Sequence, residues 1–298
     1  MQFIKMHGIG NDYVYVNGFA QTVDNPETLA PIIANRHTGV GGDGLILLLP
    51  PEENVDAHVR MRMFNRDGSE SEMCGNGIRC VCKLAHDHGV CDANPMRIQT
   101  GNGVLTLQYT VDQDNKIDQV RVNMGQPILT PAKVPVAIAS TNPIIDHDIS
   151  ELINWSNTSA SQAWIEHSGT TLRMTCVSMG NPHVTLYARD VAKVPLELVG
   201  PLLETHPLFP ARINIHFVQV HCDKEITMRT WERGSGITLA CGTGASAVCV
   251  SGILTGKSGS EILAHLPGGD LTLQWDGHEQ PVYMTGSATQ VFTGDWPS

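Results

Sequence analysis

Two four-residue stretches decide the interpretation of this sequence, Cys74-Gly75-Asn76-Gly77 and Cys241-Gly242-Thr243-Gly244. In each of them a cysteine stands before a glycine-bracketed turn that should begin a helix, with Asn76 and Thr243 as the predicted N-caps. The chain repeats itself around the two cysteines at one constant offset. The aligned pairs include Met61-Arg62 with Met228-Arg229, Asn65 with Glu232, Arg66 with Arg233 and Cys82 with Cys249. Upstream, at a slightly larger offset, Gly10-Asn11 aligns with Gly180-Asn181.

The repeat predicts two homologous domains, and 298 residues suit two domains better than one. We expect an N-terminal domain at residues 1–125 and a C-terminal domain at residues 126–298, with the last strand allowed to pack on the N-terminal domain. Residues 104–111 and 226–231 alternate apolar and polar side chains, as half-buried strands do. Residues 245–254 carry no charge, which predicts a helix that is buried on all sides. The expected fold class is therefore α+β.

Composition favours a small-molecule partner. The formal net charge is −11 and no run is rich in Lys or Arg, so binding to nucleic acid is not expected. No stretch approaches the roughly 20 apolar residues of a membrane span, and the N-terminus lacks the apolar stretch of a signal peptide. We therefore expect a cytoplasmic protein that does not bind membranes and whose eight cysteines are reduced thiols.

The paired turns suggest acid-base chemistry. Free backbone N–H groups and the helix dipole at such a turn lower the pKa of a nearby thiol and attract a carboxylate. If the two domains face each other across a cleft, Cys74 and Cys241 would converge on one ligand. One thiolate and one thiol can then remove the proton alpha to a carboxylate and return a proton on the opposite face. The sequence thus predicts an amino-acid epimerase that needs no cofactor.

At these residues the sequence resembles the diaminopimelate epimerases, and the likeness covers essentially the whole chain. It is carried by residues 5–13, 36–44, 64–80, 179–183, 231–234 and 239–245. The resemblance implies two pseudo-symmetric domains, each a mixed β-sheet curled into a barrel-like layer around a central α-helix. It also implies an isomerase that interconverts LL-2,6-diaminopimelate and meso-diaminopimelate in lysine and cell-wall precursor biosynthesis. No cofactor or metal is implied, and a homodimer is included among the expected assemblies.

The same resemblance implies the residues of the site. The catalytic pair maps onto Cys74 and Cys241, and His183 and Glu232 map onto residues that tune the two thiols. Arg233 would be the bidentate partner of the distal carboxylate. Gly44 departs from family members that have a substrate-contacting glutamine there, so no contact is expected at this position. The substrate-binding positions are Asn11, Asn65, Gly75, Asn76, Asn181, Asn214, Glu232, Arg233, Gly242 and Thr243.

The sequence also allows other interpretations. Within the same chemistry, a related cofactor-independent racemase would act on proline, hydroxyproline or histidine. A thiol-based redox or metal-binding protein is an alternative from another class, although it would not need the duplicated turns. Residues 39–44 match the dinucleotide pattern G-x-G-x-x-G, but they follow a helix-like stretch and precede a strand, which is the reverse of the required order. The spacing of Cys80, Cys82, His86, His88 and Cys91 fits no standard structural zinc pattern.

Overall fold

The computed structural model describes residues 1–155 and 163–297. The chain divides into two compact units. Unit 1 consists of Met1–Asn123 together with Thr285–Ser298, and unit 2 consists of Met124–Met284. The boundary therefore lies slightly before the expected one, and the C-terminal segment groups with the first unit rather than the second.

Unit 1 is a mixed sheet with two helices. Its strands, numbered along the whole chain, are β1 (Gln2–Gly8), β2 (Asn11–Asn17), β3 (Gly44–Leu49), β4 (Val59–Asn65), β5 (Glu70–Ser71), β6 (Met96–Thr100), β7 (Gly103–Val111), β8 (Ile117–Asn123) and β18 (Thr289–Asp295). Its helices are α1 (Pro26–Ile33) and α2 (Gly75–Asp87). The β2–β3 and β4–β6 pairs are parallel, and the pairs β1–β2, β1–β18, β3–β4, β4–β5, β6–β7 and β7–β8 are antiparallel. The C-terminal segment belongs to unit 1 because β18 pairs with β1.

Unit 2 repeats this plan. Its strands are β9 (His147–Asp148), β10 (Arg173–Ser178), β11 (Pro182–Tyr187), β12 (Asn214–Cys222), β13 (Glu225–Glu232), β14 (Gly236–Thr238), β15 (Glu261–Leu266) and β16 (Gly269–Gln274), while β17 (Tyr283–Ser287) includes the boundary at Met284. Its helices are α3 (Ala163–Ser168), α4 (Leu196–Glu204) and α5 (Gly242–Leu254), with short 3-10 turns at Pro131–Lys133 and Val191–Lys193. The β11–β12 and β13–β15 pairs are parallel, whereas β9–β10, β10–β11, β12–β13, β13–β14 and β15–β16 are antiparallel.

The duplication extends to the register of the strands. The parallel pair β2–β3 aligns Val14 with Leu45, and the pair β11–β12 aligns their equivalents in the repeat, Val184 with Ile215. On the next strand of each unit, Ile46 is paired with Met63 and His216 with Thr230. Equivalent positions in the two units can therefore be compared residue by residue.

Each sheet surrounds its own helix. Helix α2 packs against β1, β2, β3, β4 and β8, and helix α5 packs against β10, β11, β12, β15 and β16. Ile78, Val81, Cys82 and Ala85 on one face of α2 are fully buried, and α5 is buried continuously from Gly244 to Gly252, as expected for a helix without charge. The predicted α+β fold with two pseudo-symmetric domains is confirmed. In the part of the chain that the structure describes, no helix is both long and apolar enough to cross a membrane.

Candidate active site

Cys74 is the N-cap of α2. Its backbone is extended, with φ −138° and ψ 117°, which turns the side chain back over the first turn of the helix. The sulfur accepts a hydrogen bond from the Gly77 N–H at 3.3 Å and donates its own to Oδ1 of Asn11 at 3.3 Å. The prediction of Asn76 and Thr243 as N-caps was wrong, because both helices begin earlier, with Cys74 and Cys241 themselves at the capping position.

The Asn11 amide is held in one orientation by an acidic neighbour that the sequence analysis missed. Nδ2 of Asn11 donates to Oδ2 of Asp43 at 2.8 Å, and Arg36 pairs with the other oxygen of Asp43 at 3.0 Å. Because a carboxylate only accepts, this bond leaves the amide oxygen of Asn11 facing Cys74. Burial alone would raise the pKa of the adjacent Asp12, but hydrogen bonds from Arg36 and Lys5 outweigh it and hold that pKa below its usual value.

The other expected residues of unit 1 are bonded close to their own positions in the chain. Asn65, the last residue of β4, donates from Nδ2 to Oγ of Ser69 at 3.0 Å within a tight turn. Asn76 is buried, and its Oδ1 accepts from Nη1 of Arg79 at 3.1 Å. Gly75 begins helix α2, so its backbone lies beside the Cys74 thiol.

Gly44 has a steric reason to lack a side chain. A Cβ added there would lie 2.0 Å from the carbonyl oxygen of Phe64, which is far inside van der Waals contact. Gly44 is paired with Asn65 across β3 and β4, and this pairing fixes the distance between the two backbones at this point. A glutamine at this position would therefore need a shift of the neighbouring strand.

Cys241 is the N-cap of α5 and is only 4% exposed. Burial raises the pKa of its thiol well above the usual value, and the nearby Glu232 carboxylate raises it further, while the Gly244 N–H opposes both. The sequence predicted a lowered pKa, which is wrong for Cys241. The helix N-terminus does favour the thiolate, but the loss of water and the negative charge of Glu232 outweigh it.

Within unit 2, a series of polar contacts leads from Cys241 to the buried side chain of His183. The Thr243 hydroxyl lies 3.8 Å from the sulfur and accepts from Nδ2 of Asn181 at 3.3 Å. Oδ1 of Asn181 lies 2.9 Å from Nε2 of His183. His183 is completely buried, and this burial lowers its pKa well below the usual value, so it is present as a neutral imidazole.

Asn214, Glu232 and Arg233 meet at the ends of β12 and β13. Asn214 is buried and donates to the Pro182 carbonyl at 2.8 Å, and its Oδ1 accepts from the backbone N–H of Arg233 at 2.9 Å. The Thr238 hydroxyl donates to Glu232 at 2.5 Å. The exposed guanidinium of Arg233 donates from Nη1 to the Ala211 carbonyl at 3.0 Å. Both functional groups of the Asn214 amide therefore serve the backbone, and Arg233 remains accessible to a ligand.

A second carboxylate, also missed from the sequence, fixes this turn. Glu204 at the end of α4 is 7% exposed and accepts from Nε1 of Trp231 at 2.7 Å and from the Gly234 N–H at 3.0 Å. Burial alone would raise its pKa, but these hydrogen bonds and Arg212 hold the pKa below its usual value. Glu204 thus anchors the chain on both sides of Glu232 and Arg233. A lone Glu at a helix end gives no sequence signal for that role.

Among the residues that the structure describes, no three His, Cys, Asp or Glu side chains come together as metal ligands would. Within unit 1 the structure brings Asn11 to Cys74, with the backbone of α2 beneath the sulfur. Within unit 2 it brings Thr243, Asn181 and His183 into one chain of contacts that ends at Cys241. Each unit offers one thiol, one oriented amide and the N–H groups of a helix start.

Known proteins of one family are similar to this chain over nearly its whole length. The family model described as diaminopimelate epimerase matches residues 3–130 and 175–291. A diaminopimelate epimerase from Acetivibrio thermocellus is 47% identical over 99% of this chain and 98% of its own length. One from Agathobacter rectalis is 45% identical over 99% of both chains. Among solved structures, a hydroxyproline epimerase from Agrobacterium vitis with bound trans-4-hydroxy-L-proline has a TM-score of 0.65 at 17% identity, covering 99% of this chain and 91% of that one, which shows a shared fold.

Proposed function

The chain belongs to the diaminopimelate epimerase family, and from that premise we propose that it interconverts LL-2,6-diaminopimelate and meso-diaminopimelate. This isomerisation serves the synthesis of lysine and of cell-wall precursors. The observation that carries the proposal within the molecule is the pair of cysteines at equivalent N-caps. Cys74 contacts the Asn11 amide directly, and Cys241 is linked through Thr243 to the amide of Asn181, which aligns with Asn11 in the internal repeat.

We propose a two-base reaction at one alpha carbon. One thiolate removes the proton from the carbon, and the other thiol gives its proton to the opposite face, so that the proton count of the pair is unchanged. The carboxylate next to the reacting carbon would bind the backbone N–H groups at Gly75-Asn76 and Gly242-Thr243. The same groups would stabilise the negative charge that develops as the proton leaves.

We propose that Cys241 is the proton donor in the free protein, and its surroundings support this role. Its pKa is raised by burial and by Glu232, so the sulfur is a neutral thiol near pH 7. A cationic alpha-ammonium group bound at Glu232 would offset the negative charge that keeps this thiol protonated. The approach of substrate would thereby bring the pKa of Cys241 closer to the working range of a base.

We propose that the distal amino-acid head is bound by Asn65, Asn181, Asn214 and Arg233. The support differs between them. Arg233 presents an exposed guanidinium, which suits a bidentate contact with a carboxylate. Asn214 acts through the backbone, because its amide holds the Arg233 N–H in place. A substrate with one head would leave this distal set unused.

The proposal is tested by incubating the protein with LL-diaminopimelate in deuterated water. Loss of the alpha-proton signal and formation of the meso isomer are expected, whereas proline, hydroxyproline and histidine should not exchange. Cys74→Ala and Cys241→Ala should each abolish epimerisation. Cys249→Ala, deep in α5 and away from the helix start, is the matched control and should retain it. Full activity in either catalytic variant would contradict the two-base scheme.

We further propose that the reaction needs no cofactor, that the protein works in the cytoplasm and that it assembles as a homodimer. Activity that survives dialysis against a chelator, in protein without a visible chromophore, supports the first point. Cell fractionation checks the second. Light scattering coupled to size-exclusion chromatography checks the third, and a mass near 32.3 kDa, that of one chain, would contradict it.

A further inference from the structure

A second buried histidine lies behind His183. His216 on β12 is completely buried, with Nε2 2.9 Å from Nδ1 of His183 and Nδ1 2.9 Å from the hydroxyl of Thr230 on β13. On its other side it packs against the start of α5, since a Cβ added to Gly244 would lie 2.3 Å from its Cε1. His216 therefore joins the strand pair beneath the helix to the polar chain that ends at Cys241.

The fold itself does not require polar side chains at these two positions. The equivalent residues in unit 1 are Ile46 and Met63, which are paired across β3 and β4 as His216 and Thr230 are across β12 and β13. Both are buried, and the end of Ile46 lies against Gly77 as His216 lies against Gly244. Apolar side chains thus fill the same place in the sister unit. Because a buried imidazole is costly unless it is hydrogen-bonded, its presence in unit 2 has another reason.

The orientation of the Asn181 amide sets the direction of every other hydrogen bond in this series. Nδ2 of Asn181 donates to Thr243, so its oxygen faces Nε2 of His183, which must carry a proton. Burial lowers the pKa of His216 to about 3 and that of His183 well below its usual value, so both rings are neutral. The bare Nδ1 of His183 then accepts from Nε2–H of His216. The Thr230 hydroxyl in turn donates to Nδ1 of His216.

We propose that His216 is a positioning residue for the reaction, which holds His183 in the tautomer with its proton on Nε2. That tautomer fixes the Asn181 amide with its nitrogen towards Thr243, beside Cys241. The inference rests on the proposed function, because Asn181 and Thr243 are taken to bind the substrate. In unit 1 the amide of the equivalent residue, Asn11, is oriented by a different group, the Asp43 carboxylate, which can only accept.

The isoleucine of unit 1 supplies the sharpest variant. In His216→Ile, Nδ1 of His183 loses its hydrogen-bond donor. Nothing on that side of the ring then favours the tautomer with the proton on Nε2. If the proton leaves Nε2, the Asn181 amide turns and presents its oxygen to Thr243. The substrate then meets two arrangements of the site instead of one. In His216→Gln the amide oxygen can accept from the Thr230 hydroxyl, which leaves the amide nitrogen to donate to Nδ1 of His183, so we expect the single tautomer to return.

The test combines NMR with kinetics on the same samples. In protein with ¹⁵N-labelled histidine, long-range ¹H–¹⁵N correlations report the tautomer of His183, whose signals are those lost in His183→Asn. We expect a single Nε2–H tautomer in wild type and His216→Gln, and a mixture in His216→Ile. In the exchange assay, kcat/KM of His216→Ile should fall on the order of tenfold with a raised KM, and His216→Gln should recover it. Ile46→Val is the packing control and should change neither readout.

The outcomes separate this inference from the proposed function. A folded His216→Ile protein that keeps the Nε2–H tautomer and an unchanged KM overturns the role of His216. If that variant does not fold, Thr230→Val removes only the hydroxyl that donates to His216. An unchanged tautomer of His183 in Thr230→Val would count equally against the proposed role of His216. If the wild type itself does not exchange the alpha proton of diaminopimelate, the proposed function fails, while the tautomer measurement still decides whether His216 orients His183.

Discussion

The hydrogen-bonded pair of buried Glu204 and half-buried Trp231 gives a quantitative prediction for stability. Nε1 of Trp231 donates to Oε2 of Glu204 at 2.7 Å, while the other carboxylate oxygen accepts from the Gly234 N–H. A hydrogen bond to a charged group contributes about 1.5–3 kcal/mol, so Trp231→Phe should lose about 2 kcal/mol from this bond. The smaller ring also packs less well against α4, where a Cβ on Gly200 would lie 2.3 Å from the indole, and this adds about 1 kcal/mol.

A double-mutant cycle isolates the hydrogen bond from the packing. Urea unfolding of wild type, Trp231→Phe, Glu204→Ala and the double variant should give a coupling free energy of about 2 kcal/mol at pH 7. The pKa of Glu204 is lowered from 4.5 in the folded protein. Its charge therefore contributes stability above that value, and this contribution is lost as the pH falls through the folded pKa. A coupling energy near zero at pH 7, or one that grows on acidification, would refute the reasoning.

Three further predictions concern other parts of the molecule. Asp43→Ala removes the acceptor that orients Asn11, so kcat/KM for epimerisation should fall on the order of tenfold; unchanged kinetics would contradict this. The pKa of His265 is raised from 6.5 by its two carboxylate partners, so the stability that it contributes is present below about pH 6.5 and lost as the pH rises through the raised value. Unfolding of His265→Gln should show the largest deficit near pH 5.5, and a deficit that grows towards pH 8 would be the wrong sign. Gly244→Ala should cost about 1–3 kcal/mol in urea unfolding and exceed Gly77→Ala, because a hydrogen-bonded ring yields less than a methyl end.

The sequence was sufficient for the plan of the fold. The matching cysteine turns and the near-constant offset between the repeated segments predicted the duplication, and the strand registers of the two units confirm it. The absence of charge in residues 245–254 was enough to predict that α5 is buried. These features are local or periodic, so they can be found without the third dimension.

The supporting residues of the site could not be found in the same way. His216 stands between Ile215 and Phe217, an alternation that normally places the polar residue towards solvent. Here Ile215 and Phe217 enter the apolar core of unit 2, and the other face of β12 is covered by α5, so both faces are buried. The pKa of Cys241 escaped prediction for a related reason. The N–H donors of the turn are visible in the sequence, but the depth of burial and the closeness of Glu232 are not.

Because β18 pairs with β1, unit 1 cannot be completed during synthesis until the segment after Met284 has been made. Strand β1 leaves the ribosome before unit 2, but its partner β18 lies beyond Met284, after the whole of unit 2. At about 5–20 residues per second, synthesis of the segment between Gly8 and Thr289 takes roughly 14–56 s. During that time one edge of β1 has no strand from its own chain to bind, and such edges are where nascent proteins associate wrongly. The first unit to be made is therefore the last to be completed.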